Sequence, residues 1–151
     1  MAVSMITPGG AVNQLNFATK TVTFTGASGL GLAGTNTVWF TVTGTVLVVI
    51  LTPLCTTGLA GATATLTLGV VDATAFFNAA TTATDLAANE FWFDATPTEA
   101  NAFAVSAGFK DIMVLDDDIV SAVATANITS GVVRIDCFWM PLSSNGLIVA
   151  A

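Results

Sequence analysis

The chain has 151 residues, 54% of them hydrophobic and only 9% charged, where an average soluble domain carries about 25% charge. Three bases face ten acids, for a net charge of −7 with no histidine at all. These numbers exclude a nucleic-acid binder or polybasic membrane binder, histidine-based triads and histidine-ligated metals, and a disordered chain.

Residues 1–18 read as an N-terminal arm, because Pro8-Gly9-Gly10 breaks the pattern and Asn13, Gln14 and Asn16 follow without period. Residues 19–151 read as a single domain. From Lys20 the period is two, with Val22 and Phe24 set against Thr21, Thr23 and Thr25. Gly26–Gly34 is a glycine-rich loop. It lacks the Lys-Ser/Thr of a phosphate-binding loop, and a strand follows it rather than a helix. Thr35–Leu51 is the longest strand-like run. Val38, Phe40, Val42, Val46, Val48 and Ile50 fall on one face and Trp39, Thr41, Thr43 and Thr45 on the other, with Gly44 as a bulge or bend that splits it. Ala62–Val71 alternates again, and Phe76-Phe77 and Glu90–Asp94 are short aromatic strands. Thr96-Pro97-Thr98-Glu99 has capping-box chemistry and predicts a short helix from Pro97 to about Ala107. Phe109–Leu115 and Ile119–Ala126 read as strands joined through Asp116-Asp117-Asp118 as a hairpin turn. In Gly131–Met140, Val133, Ile135, Cys137 and Trp139 form one stripe and Val132, Arg134, Asp136 and Phe138 the other.

About eight strands with closely spaced turns predict an all-β protein, a jelly-roll-like β-sandwich. The 24 threonines fit, since threonine covers a strand's solvent face without adding charge.

From Thr21 to Val71 no residue is charged. The unbroken apolar run inside that stretch, Val46–Leu51, is far short of the ~20 residues that span a membrane, and no signal peptide is legible. The run is apolar on both faces, as in a strand that is either central and covered on both sides or half-covered by another chain. Val46, Leu47, Val48, Val49, Ile50 and Leu51, with Trp39 as an aromatic anchor, are therefore the candidate interface residues.

No set of catalytic groups stands out. Cys55 and Cys137 sit in apolar surroundings and read as small buried hydrophobes. Asp116-Asp117-Asp118 reads as a solvated turn rather than a calcium site. Asp94 and Glu99 could pair as an acid and a base, but Glu99 already has a capping role. The triplet Asn127-Ile128-Thr129 matches a glycosylation acceptor without a secretory context. Trp39, Trp92 and Trp139 read as core or interface anchors, with sugar stacking as the alternative. No enzyme activity, cofactor or metal is expected.

Several stretches together resemble small virion structural proteins of tailed bacteriophages: Phe40–Val48, Thr81–Leu86, Asp94–Pro97, Thr125–Thr129 and Trp139–Ser143. The resemblance covers most of the chain from about Thr19. It implies a capsid decoration (cement) protein, a β-sandwich that works as a homotrimer, with itself and the major capsid protein as partners and the virion as its location. It carries no catalytic or ligand residues. A fibre- or tail-associated receptor- or glycan-binding module is the alternative.

Overall fold

Threonine alternates with apolar residues in Thr21–Thr25 and Thr63–Thr67, and Val133, Ile135, Cys137 and Trp139 recur at every second position near the end of the chain. A period-two pattern with so little charge buries its apolar side by pairing strands and stacking the sheets. The computed structural model describes residues 3–6, 12–97 and 113–151. Among these residues every regular element is a strand except one 3-10 turn at Ala83–Asp85. The strands are β1 (Val3–Ile6), β2 (Val12–Thr23), β3 (Asn36–Thr43), β4 (Thr45–Ala60), β5 (Thr65–Val70), β6 (Ala73–Thr82), β7 (Glu90–Phe91), β8 (Met113–Leu115), β9 (Ile119–Ala124), β10 (Ser130–Pro141) and β11 (Leu147–Ala150).

They form two antiparallel sheets of a β-sandwich, as expected. The first runs β1-β2-β10-β4, with β7 and β8 both on the far edge of β4, and the second runs β11-β3-β9-β5-β6. β5–β6 is a hairpin within one sheet. Every other described connection from β2 onward crosses between the sheets, which gives the sandwich its jelly-roll-like character. The core between the sheets holds Trp39, Trp92, Phe24, Phe40, Leu51, Leu66, Leu68, Ile119 and Ile135, all fully buried.

Gly44 divides the long run as anticipated. Its φ of 61° is left-handed, and a Cβ there would lie 2.5 Å from Asn145 Oδ1. The break is larger than a bend within one strand, because β3 lies in the second sheet and β4 in the first. Two bulges then reset the side-chain phase. In β3 the ladder to β9 steps from Val38↔Val120 to Phe40↔Ile119, so Trp39 is an extra residue, and Trp39 and Phe40 are both buried. In β4 the ladder to β10 steps from Trp139↔Val48 to Phe138↔Ile50, so Val49 is extra. Inward residues are thus Val46 and Val48 before the bulge and Leu51, Pro53 and Cys55 after it. The expected face of Val38, Phe40, Val42, Val46, Val48 and Ile50 is corrected accordingly: Val38 and Ile50 leave the inner face and Trp39 joins it.

The hairpin expected at Asp116-Asp117-Asp118 is also corrected. β8 pairs with β4 in the first sheet and β9 with β3 and β5 in the second, so the acidic stretch is an arch between sheets. Asp118 Oδ1 accepts the Val42 N–H at 2.8 Å and Asp117 Oδ2 accepts the Asp72 N–H at 3.0 Å, so two of these carboxylates stitch the arch to its neighbours. The helix expected over 97–107 lies outside the described residues beyond Pro97. β2 begins at Val12 and its residues 16–23 pair with β10, so the strand runs through the sequence-based boundary at residue 18.

Candidate interaction surface

β10 occupies the middle of the first sheet, and its undisturbed alternation decides which side chains face out. Val133, Ile135, Cys137 and Trp139 point into the sandwich, while Val132, Arg134, Asp136, Phe138 and Met140 point away. The register places Phe17 of β2 and Ile50 of β4 on either side of Phe138. The Phe17 and Phe138 rings pack with centroids 4.9 Å apart, a separation typical of a favourable aromatic pair. Met140 and Leu47 form the next cross-strand pair along. The bulged Val49 is 48% exposed and Phe17 42%. Part of the outer face of the sheet is therefore an apolar row three strands wide.

The following row is polar. Thr19 Oγ1 donates to Asp136 Oδ1 at 2.6 Å, and Arg134 forms an ion pair with Asp136 at 3.1 Å. Among the charged residues of β2, β4 and β10, only these two face outward. The third, Lys20, reaches across the sandwich edge, where its Nζ donates to the Val38 carbonyl at 2.8 Å and to the Ala151 main-chain oxygen. Partial burial lowers the Lys20 pKa. The face thus combines an exposed apolar row with a charge pair of zero net charge, an arrangement suited to packing against protein.

The seven interface candidates separate cleanly on this frame. Val46, Val48, Leu51 and Trp39 are buried in the subunit's own core and cannot reach a neighbour. Leu47, Val49 and Ile50 lie on the outer face. Phe17, Phe138 and Met140 belong to the same surface and were not among the candidates. For Phe138 the signal was present in the clean alternation of β10. For Phe17 it was not, since the residue stands in an unpatterned stretch and gains its meaning only from its register with β10.

The remaining sequence signals resolve as structural parts. All three tryptophans are buried, so none offers a ring for sugar stacking. Trp39 Nε1 donates to Ser121 Oγ at 2.9 Å and Trp92 Nε1 to Thr81 Oγ1 at 2.8 Å. Cys55 and Cys137 are free thiols. Cys55 lies opposite Val133 and Cys137 opposite Leu51, four residues or roughly 13 Å apart along β10, too far for a disulfide. Burial pushes the Cys137 thiol up to about 12. Cys55 is pushed up to about 11, first by burial and further by the Glu90 charge, against the lowering effect of backbone hydrogen bonds. Asp94 Oδ1 accepts the Thr96 N–H, and Glu99 lies outside the described residues. Asn127 is exposed, and its Oδ1 accepts the Ala33 N–H from the glycine loop. Among the described residues no three His, Cys, Asp or Glu side chains group as a metal site, and no helix is long and apolar enough to cross a membrane.

No protein-family model matches the chain, and no curated protein or solved structure matches it.

Proposed function

We propose that this protein is a virion structural protein of a tailed bacteriophage, a capsid decoration protein that binds the major capsid protein as a homotrimer and stabilises the head. The observation that carries the reading is the outward apolar row Phe17–Phe138–Ile50 with Val49, set on a sheet whose described outward charges on β2, β4 and β10 cancel. A subunit with net charge −7 repels its own copies, and this face lets copies meet without bringing like charges together. Several weak contacts from one oligomer can raise avidity by ~10²–10⁴ without any further chemistry. The role needs no cofactor and no reacting group.

The test is binding of the purified protein to phage heads that lack it, with heat resistance of the heads as readout and sedimentation for the oligomer. Saturable binding, a rise in head stability and a trimer in solution support the proposal. A monodisperse monomer at micromolar concentration that ignores heads refutes it. If that monomer binds host cells or their glycans instead, the protein belongs with the recognition modules.

A further inference from the structure

The β5–β6 hairpin departs from a regular ladder in a way that displays apolar side chains. Its register steps from Leu68↔Asn78 to Val70↔Ala73, so β6 advances five residues where β5 advances two. The extra backbone lies flat on the sheet over Gly69. A Cβ at that position would stand 2.1 Å from the Ala73 carbonyl oxygen and 2.7 Å from the Phe76 nitrogen, so only glycine admits the arrangement. The excursion separates two adjacent phenylalanines. Phe77 is buried in the core while Phe76 is 48% exposed, the two rings packing edge-to-face at 5.2 Å. At the hairpin turn Val71 is 46% exposed. The turn is held from below by the Val71 N–H donating to the Asp118 carbonyl at 3.2 Å and the Asp72 N–H donating to Asp117 Oδ2 at 3.0 Å. A hairpin tip with two large apolar side chains, tied at its base, loses little entropy on binding.

Among the described residues of the hairpin and of the Asp116–Asp118 arch that holds it, every charged side chain is acidic. Asp72 and Asp116 are exposed beside it and Asp117 is partly so, and neither the hairpin nor the Asp116–Asp118 arch contains a base. We propose that the β5–β6 tip is a second docking surface, distinct from the outer face of the first sheet, and that it fits a protein pocket that is apolar within and rimmed by Lys or Arg. A second copy of this chain does not supply that pocket. Each copy carries ten acids against three bases, so a second copy would bring like charge to the acidic tip. The complement is therefore a different protein. The inference rests on the proposed role only for its natural test partner, the head surface.

The experiment compares matched variants. Phe76→Ser removes the apolar knob and Leu30→Ser removes an exposed apolar side chain in the glycine-rich loop, which belongs to neither surface. Asp72→Asn removes one acid at the tip and Asp85→Asn one exposed acid far from it in sequence. Binding to heads lacking the protein should fall at least about tenfold with Phe76→Ser. It should fall severalfold with Asp72→Asn, which should also weaken the salt dependence of binding. Asp85→Asn should leave affinity unchanged. If wild type binds heads and both tip variants bind equally well, the tip is not the contact, and the decoration role stands without it. If wild type does not bind heads, the decoration role falls, and retention on beads carrying benzylammonium groups, an apolar ring beside a cation, decides the tip separately. Retention reduced by Phe76→Ser and Asp72→Asn beyond their matched controls supports the tip. Retention that tracks only net charge overturns it.

Discussion

Val48 and Val49 are neighbours of identical chemistry, and the β4 bulge assigns them opposite environments. Val48 is buried opposite Trp139, whereas Val49 is the extra residue and points outward. Val48→Asp gives up about 1.5–3 kcal/mol of side-chain burial. It also places a carboxylate between the sheets, where both described cations are already engaged, at a further cost of several kcal/mol. The sum is comparable with the roughly 5–15 kcal/mol that holds a domain together, so this variant should be largely unfolded at pH 7. A buried carboxyl keeps its proton to higher pH than a free one, so the destabilisation should ease on acidification toward pH ~4. Val49→Asp should change subunit folding by no more than about 0.5 kcal/mol. It should weaken self-association by about 10²–10³-fold if the outer face is the subunit contact. Urea titration followed by tryptophan emission measures the first effect, since all three indoles are buried, and sedimentation velocity measures the second. Equal loss of folding in both variants would refute the bulge. A folded Val49→Asp protein that sediments like wild type would refute the contact.

Four further outcomes follow from the interior. Both thiols have folded pKa values raised above the unfolded value of about 8.5. Above that pH the unfolded chain loses protons that the folded one keeps, so stability should be flat below pH ~8 and fall as pH rises toward 11–12. Native protein should resist thiol alkylation at neutral pH until it is unfolded. Ser121→Ala strands the Trp39 indole N–H in the core. It should cost about 1–3 kcal/mol in wild type and markedly less in a Trp39→Phe background, read as urea midpoints. Gly69→Ala drives a Cβ into the Ala73 carbonyl and should cost about 1–3 kcal/mol, with hydrogen-exchange protection lost first at residues 73–78.

The strand content and the two-sheet architecture were legible because alternation is a local property. β10 shows this best, since its two predicted stripes stay intact and all four residues of the Val133 stripe face the core. The pattern misleads where a bulge inserts a residue. Nothing in the types Val38-Trp39-Phe40 or Val48-Val49-Ile50 marks the extra position, so the phase beyond it could not be read. The Asp116–Asp118 arch misleads for a related reason. The same turn residues serve a hairpin and a crossing between sheets, and the choice depends on distant partner strands. The place of Phe17 in the candidate surface was hidden likewise, because it joins Phe138 only through pairing across more than a hundred residues.

That long separation shapes how the molecule must assemble. β10 lies between β2 and β4, and its bonds to β2 join segments at opposite ends of the sequence, as in the Thr19–Asp136 contact spanning 117 positions. Closing so large a loop brings no reward until nearly the whole chain is available, so folding should be slow, in the millisecond-to-second range of sandwiches dominated by non-local pairing. During synthesis residues 16–23 of β2 emerge early and wait for their partner until β10 leaves the ribosome, with Phe17 and Val22 exposed meanwhile. The strand that arrives late is also the one whose departure would open the first sheet down its middle, so the rate at which β10 peels away should govern how long a folded subunit lasts.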